Sequence, residues 1–249
     1  VPIKTLPDAY LVKPGRYYKI IYDLNHIKSR KKSYLPFYTA HTFDKTEKLS
    51  FMMIDIDTLL AWGAAYKKVS AGEMIFREGT HSSFYYQLVS GKVRWVNINN
   101  EGKEFIQTII EPDECFGEFP LFDDEPFAAS AIADKDSVII RLHRTAFHQL
   151  LKENPELHFK FTRLLTQRLR FKFLILKELA NHNPENSIST LLQYFKQTQK
   201  NICTKCNRLK LTRQQIADMT GLRVETVIRT MKNMQLKGEL HISKGKVYC

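Results

Sequence analysis

Residues 66–142 run in short segments in which apolar and polar side chains alternate, broken repeatedly by glycine, proline or asparagine. A period of two with turn residues between the runs predicts an all-β sandwich or barrel. The segments are Tyr66-Lys67-Lys68-Val69, Met74-Ile75-Phe76, residues 84–89, 93–98 and 104–110, and a final strand pair near 127–133 and 137–142. Turns are expected at Ala71-Gly72, Glu78-Gly79 and Ser90-Gly91, and a hairpin loop at Asn99-Asn100-Glu101-Gly102-Lys103. Past residue 153 the period lengthens to that of a helix. Asn154 is the expected N-cap, Pro155 suits the first turn and Glu156 favours the dipole. Two adjacent apolar stripes follow, Leu157, Phe161, Leu164, Phe171 and Ile175 beside Leu165, Leu169, Leu176 and Leu179, until Asn181-His182-Asn183-Pro184 ends the helix. So wide a stripe predicts one edge on the β-rich part and the other on the same helix of a second copy, hence a homodimer; a helix buried within a monomer is the alternative.

From Leu211 the pattern becomes two short helices about a tight turn. Thr212 followed by Gln215 is a capping box, so a helix is expected from Arg213 with Ile216, Ala217 and Met219 inward, ending at Thr220-Gly221-Leu222. A second helix is expected from Val224 to Leu236, with Val227, Met231 and Met234 facing its neighbour and Lys237-Gly238 as its stop. Ala217 permits close approach and Gly221 can take φ > 0. The outer face of the second helix offers Arg223, Glu225, Thr226, Arg229, Lys232 and Asn233, which suit base edges and phosphates, and residues 240–248 read as strand, Lys-Gly turn and strand. Together these predict a winged helix-turn-helix; an ordinary helical hairpin is the bland alternative.

Charge sharpens that reading. The 249 residues carry a net charge of +12. Residues 1–57 hold 10 Lys+Arg against 6 Asp+Glu, residues 58–151 hold 9 against 13, and residues 152–249 hold 19 against 7. The basic surplus therefore coincides with the helix-turn-helix and points to nucleic acid. No apolar run approaches the roughly 20 residues that span a bilayer and no signal-peptide layout opens the chain, so a cytoplasmic protein without membrane contact is expected. Cys115, Cys203, Cys206 and Cys249 are too few and too uneven for a disulfide framework. Residues 1–52, with the basic cluster Lys28-Ser29-Arg30-Lys31-Lys32, show no sustained period and read as an extension of uncertain structure. The folded part is expected to begin near Met53, with the upstream residues an extension or a misassigned start, or alternatively a basic arm that touches DNA.

The ladder Gly72, Gly79, Gly91, Gly102, the phrase Phe116-Gly117-Glu118, the long helix and the terminal winged helix, in that order, resemble the cyclic-AMP receptor protein/FNR (Crp/Fnr) family of bacterial transcription regulators. The resemblance covers residues 59–248. It implies an α+β chain: a cyclic-nucleotide-binding-like jelly-roll over 53–152, a dimerisation helix over 153–181 and a winged helix-turn-helix over 182–249. In cyclic-AMP-binding members a glutamate of the Gly-Glu phrase holds the ribose, an arginine beside a serine or threonine on the next strand holds the phosphate, and Thr-Ser on the long helix reads adenine. Glu118 matches the glutamate, but Pro126-Phe127-Ala128-Ala129 puts Phe127 at the arginine position, and the adenine-reading pair falls on Lys172 and Phe173. An apolar ring leaves a phosphate unpaired, so cyclic AMP is not the expected effector. Gly117, Glu118, Phe127, Arg168 and Lys172 are the candidate effector residues for an unknown small molecule, the last two read either as anion ligands or as snorkelling cations. Arg168 is expected within about 8 Å of Glu118, since both charges need partners when desolvated.

Val224-Glu225-Thr226-Val227-Ile228-Arg229 matches the FNR-like form of the recognition helix. The resemblance implies palindromic double-stranded DNA with TTGA-like half-sites, and RNA polymerase as a further partner. Glu225 and Arg229 would fix a G·C pair, Ile228 would touch a thymine methyl, and Thr212, Arg213 and Gln214 would hold phosphates. Other readings stay open for the input. Cys203-Thr204-Lys205-Cys206 has metal-knuckle spacing, with Cys249 and His241 the available additional ligands, but it also suits a hairpin tip. Redox sensing, haem, an effector-free DNA-coating protein and a nucleotide-binding module that controls a partner without DNA are the remaining alternatives. No cofactor is indicated. No phosphate-binding loop, nucleophile elbow or His-Glu-x-x-His helix supports an enzyme.

Overall fold

The computed structural model describes residues 53–248, which lie within the second of two compact units, Glu47–Cys249. The expected extension over 1–52 and Cys249 fall outside the described residues. Asp55 opens the described fold by accepting the Thr58 N–H at 3.1 Å, which caps the short helix α1 (Ile56–Ala61). The strands are β1 (Ala65–Val69), β2 (Met74–Phe76), β3 (Phe84–Ile98), β4 (Glu104–Ile110), β5 (Cys115–Phe116) and β6 (Ser130–His143), with a four-residue helix α2 (Pro120–Asp123) before β6. They form an antiparallel sheet in the order β1-β6-β3-β4, with β2 also on β6 and β5 on β3.

Two expected turns are absent. Residues 84–98, read as two strands about Ser90-Gly91, are one strand of 15 residues, and the final pair is the single strand β6. At Gly91 a Cβ would stand 2.0 Å from Ser137 Oγ and 2.6 Å from Ser137 Cα, so glycine serves close approach of β3 to β6 rather than reversal. Its φ of +106° is accommodated by register shifts between Leu88 and Val93. The segment Asp134-Lys135-Asp136 lacks glycine and proline and is held extended from both sides. Asp134 accepts from Arg94 at 2.6 Å, and Asp136 accepts the Ala71 N–H at 2.9 Å.

After β6 come α3 (Arg144–Glu153), α4 (Pro155–Asn181), α5 (Pro184–Thr198), α6 (Arg213–Thr220) and α7 (Val224–Leu236), then the ribbon β7 (His241–Ser243) and β8 (Lys246–Tyr248). Asn154 does not cap α4 as expected: its side chain donates to the Leu150 carbonyl at 2.9 Å and so closes α3 instead. Pro155, which lacks an N–H, begins α4 without that cap. The first apolar stripe of α4 is buried throughout, whereas Leu169 and Leu176 of the second stay exposed. Leu157, Phe161 and Leu164 pack with Phe147 and Leu150 of α3 on Tyr85 and Leu142 of the sheet. Lower down, Phe171 and Ile175 join Ile106, Ile109 and the interior of α5, α6 and α7 in one continuous core.

Phe147 is fully buried, with its ring 5.0 Å from Tyr85 and 5.5 Å from Phe161. Phe147→Ala should lower the unfolding free energy by about 3–5 kcal/mol, seen as a lower urea midpoint at unchanged slope. A loss below about 1 kcal/mol would show that α3 is not a structural part of the sheet-to-helix core.

Candidate nucleic-acid interface and effector cavity

The helix-turn-helix is built from local signals. Thr212 Oγ1 accepts the Gln215 N–H at 3.1 Å and Gln215 Oε1 accepts the Thr212 N–H at 3.1 Å, which completes the capping box of α6. Gly221, at φ +69°, ends α6 by donating its N–H to the Ala217 carbonyl. Arg223 is extended, and α7 then buries Val227, Thr230, Met231 and Met234. The opposite face leaves Arg223, Glu225, Ile228, Arg229 and Lys232 exposed, with Thr226 half-buried among them. At the start of α6, Thr212 and Gln214 are exposed while Arg213 is half-buried, and burial lowers its guanidinium pKa. The β7-β8 ribbon turns at Lys244 and Gly245, both at positive φ, and forms the wing. A hairpin flanks it, with Cys203-Thr204-Lys205-Cys206 at its tip, which is the alternative to a metal knuckle: Ile202 bridges Leu209, and Arg208 bridges Tyr248 of β8.

The expected pairing within the effector residues is present. Arg168 of α4 meets the fully buried Glu118 in an ion pair, donates to the Cys115 carbonyl at 2.6 Å, and lies 5.5 Å from the centre of the Trp95 ring. Burial works against the guanidinium charge, but the Glu118 carboxylate more than offsets it and holds the pKa above its usual value. Burial likewise pushes the Cys115 thiol up, so it stays protonated. Among the described residues Glu118 Oε2 finds no hydrogen-bond partner.

Beside this pair lies a cavity of about 480 Å³. Trp95 and Gln107 from the sheet, Phe119, Leu165, Leu169 and Phe171, and Tyr194 of α5 give it a mostly apolar wall. Arg168, Lys172 and Lys200 bring cations to it. Lys172 donates to the Gln107 carbonyl at 2.9 Å and to the Gln107 side chain. Burial first, and the nearby Arg168 second, lower its pKa to about 8. Lys200 pairs with Glu114 at 2.5 Å. Burial first, and then Glu114, raise the Tyr194 phenol to about 12.

Of the expected effector residues, Arg168 and Lys172 line this cavity, whereas Gly117, Glu118 and Phe127 do not. Phe127 is buried in the β-roll with its ring 3.8 Å from Phe76, and these two rings leave no space for a Cβ at Gly117. Glu118 reaches the cavity only through Arg168. Phe173, the other residue at the adenine-reading position, is 63% exposed. Trp95, Gln107, Tyr194 and Lys200 were missed by the sequence reading because they come from four separated places in the chain; only the period of two could mark Trp95 as inward-facing. Among the described residues no group of three or more His, Cys, Asp or Glu could hold a metal ion, and no helix is long and apolar enough to cross a membrane.

Residues 66–154 match the family model for the cyclic nucleotide-binding domain, and residues 188–248 match that for the Crp-like helix-turn-helix domain. The Cyclic AMP receptor protein of Thermus thermophilus is 28% identical over 177 residues, 71% of this chain and 79% of that one. The cAMP-activated global transcriptional regulator CRP of Haemophilus influenzae is 27% identical over 190 residues, 74% of this chain and 85% of its own. The solved structure of the c-di-GMP responsive global regulator CLP of Xanthomonas campestris has the same fold, with a TM-score of 0.63 at 18% identity, covering 77% of this chain and 96% of that one. The order of β-roll, long helix and winged helix-turn-helix thus defines a DNA-binding transcription regulator. The chain belongs to the Crp/Fnr family.

Two outcomes follow for the cavity wall. Glu118→Ala strands a buried guanidinium and should cost about 3–5 kcal/mol in chemical denaturation, while Glu118→Leu with Arg168→Met should recover most of it. No recovery in the double variant would deny that the pair acts as a unit. For Lys172 the folded pKa of about 8 lies below the ordinary 10.5, so between these values the unfolded chain binds more protons and stability rises with pH. The stability of the unaltered chain relative to Lys172→Met should therefore climb across that window, and a flat difference would mean that Lys172 is solvated.

Proposed function

We propose that the chain acts as a homodimer that reads palindromic double-stranded DNA with TTGA-like half-sites, under control of an organic anion with an apolar body rather than cyclic AMP. The observation that carries the DNA reading is the face of α7. Arg223, Glu225, Thr226, Ile228, Arg229 and Lys232 lie opposite its buried side, and Ile228 stays 52% exposed amid charges, where a thymine methyl would cover it. In this reading Glu225 and Arg229 fix one G·C pair, and Thr212, Arg213 and Gln214 hold phosphates. RNA polymerase is the expected protein partner.

The dimer reading is supported by Phe159, Leu169, Phe173 and Leu176, all exposed along α4. Domain limits of 53–152, 153–181 and 182–249 follow from that division of labour, with 1–52 as an extension. Phe127 is the basis for setting cyclic AMP aside: the resemblance assigns its position a phosphate-binding arginine, and its ring is committed to Phe76. The apolar cavity with Arg168 and Lys172 at its wall suits a carboxylate or phenolate on a hydrophobic frame.

Selection from a random DNA pool should enrich a palindrome with a G·C pair in each half-site. Arg229→Ala should relax preference at that pair at a cost of roughly 1–3 kcal/mol, whereas Arg213→Ala should weaken all sequences about equally and flatten the salt dependence. Enrichment of a non-palindromic motif, or equal loss in both variants, would overturn the assignment of roles.

A further inference from the structure

Between α5 and α6 the chain makes a tight hairpin whose tip takes no part in the proposed DNA contacts. The Cys203 N–H donates to the Arg208 carbonyl at 2.8 Å, and the Asn207 N–H returns to the Cys203 carbonyl at 2.8 Å. Asn207 sits at φ +54°, in the left-handed region that closes such a turn. Cys203 and Cys206 are therefore the first and fourth residues of one turn, three positions apart at its tip. Cys206 is exposed and Cys203 half-buried, whereas Cys115 is fully buried.

We propose that Cys203 and Cys206 form a reversible disulfide across the hairpin tip, an oxidant-responsive site in the DNA-binding part of the chain. The co-reactant is a hydroperoxide. The Cys203 thiolate attacks the O–O bond, a sulfur–oxygen bond forms, and the departing oxygen takes a proton to leave as alcohol or, from hydrogen peroxide, water. Cys206 then attacks the sulfenic sulfur, the S–S bond forms, and hydroxide leaves with the Cys206 proton as water. Two thiols lose two protons and two electrons, and the hydroperoxide gains them.

The thiolate is available near neutral pH. The Cys206 thiol foremost, then the N–H groups of Lys205 and Cys206, and last the charge of Arg208, stabilise it and hold the Cys203 pKa at about 7. Cys115 provides the internal contrast, since burial keeps its thiol protonated. A closed metal site is a poorer fit: tetrahedral zinc takes four ligands, and no cluster of even three stands here among the described residues. The hairpin also has a path to the wing. The Leu209 N–H donates to the Val247 carbonyl at 2.9 Å and Arg208 bridges Tyr248, so a shift at the tip bears directly on β8.

The test uses the reduced full chain, treated with hydrogen peroxide, alkylated and digested with trypsin. Cleavage after Lys200, Lys205 and Arg208 releases peptides 201–205 and 206–208, which remain joined only through a Cys203–Cys206 disulfide. The joined pair, two hydrogens lighter than the separate peptides, is expected, and dithiothreitol should separate it. The rate should fall roughly tenfold per pH unit below about 7 as the thiolate is lost. Cys206→Ser should stop at a dimedone-trappable sulfenic acid on Cys203, Cys203→Ser should abolish the joined product, and Cys115→Ser should leave the reaction unchanged. The proposal is overturned if both thiols alkylate fully after peroxide, or if the product links Cys203 or Cys206 to Cys249 or to a second chain. Zinc retained one-to-one, protecting both thiols until a chelator is added, would also overturn it.

Discussion

Arg168 anchors the seam between α4 and the sheet. A guanidinium brought into an apolar seam is tolerated only when its charge and its donors are both matched. Glu118 supplies the charge, the Cys115 carbonyl an acceptor and the Trp95 face a polarizable surface. That arrangement determines its neighbours. The Gly117-Glu118 turn is pinned at positive φ beneath the Phe76 and Phe127 rings, and Lys172, one helical turn beyond Arg168, loses part of its hold on its proton because it is buried and because a second cation is close. The cavity exists because a paired arginine keeps α4 against the sheet without filling the space beside it.

The DNA-binding part does not hang free of the β-roll. Ile106 and Ile109 of β4 share a core with Ile216 and Ala217 of α6, and polar groups ring that contact. Gln215 donates to Asp134 at 2.9 Å, and Asp134 in turn holds Arg94. Lys210 pairs with Glu111 at 3.2 Å, and Lys200 with Glu114 at 2.5 Å. Tyr194 and Lys200 belong both to this joint and to the cavity wall. A molecule that filled the cavity would touch the sheet, α4 and the end of α5 at once, and only such differential contact can bias one arrangement of the two parts over another. The polar face of α7 stays exposed in the arrangement observed.

The helix-turn-helix was the most legible part of the chain because its signals are local. A threonine cap, a reciprocal glutamine, a glycine at positive φ and an apolar period of 3.6 each act within about four residues. The capping box of Thr212 and Gln215, the turn at Gly221 and the limits of α7 accordingly came out as expected. The same local logic misread Ser90-Gly91 and Asn154. A glycine can mean a turn or a close approach, and an asparagine can cap the helix after it or close the helix before it. At Gly91 the deciding atom, Ser137 Oγ, was supplied by packing, whereas at Asn154 it was the Leu150 carbonyl, four residues back in the preceding helix.

The sequence by itself determined the family, the order of the parts, the sign of charge on the DNA-binding part and the pairing of two buried charges, since composition, period and motif spacing survive without coordinates. Only the tertiary structure decided where the cavity lies and what lines it. Phe127, placed by its motif in a ligand site, belongs to the aromatic interior, while Trp95, Gln107, Tyr194 and Lys200 meet around empty space although up to 105 positions separate them. The physical reason is that a cavity is what remains after distant elements have packed. Its walls are set by the registers of β3 and β4 and by the rotation of α4, which no run of neighbouring residues encodes.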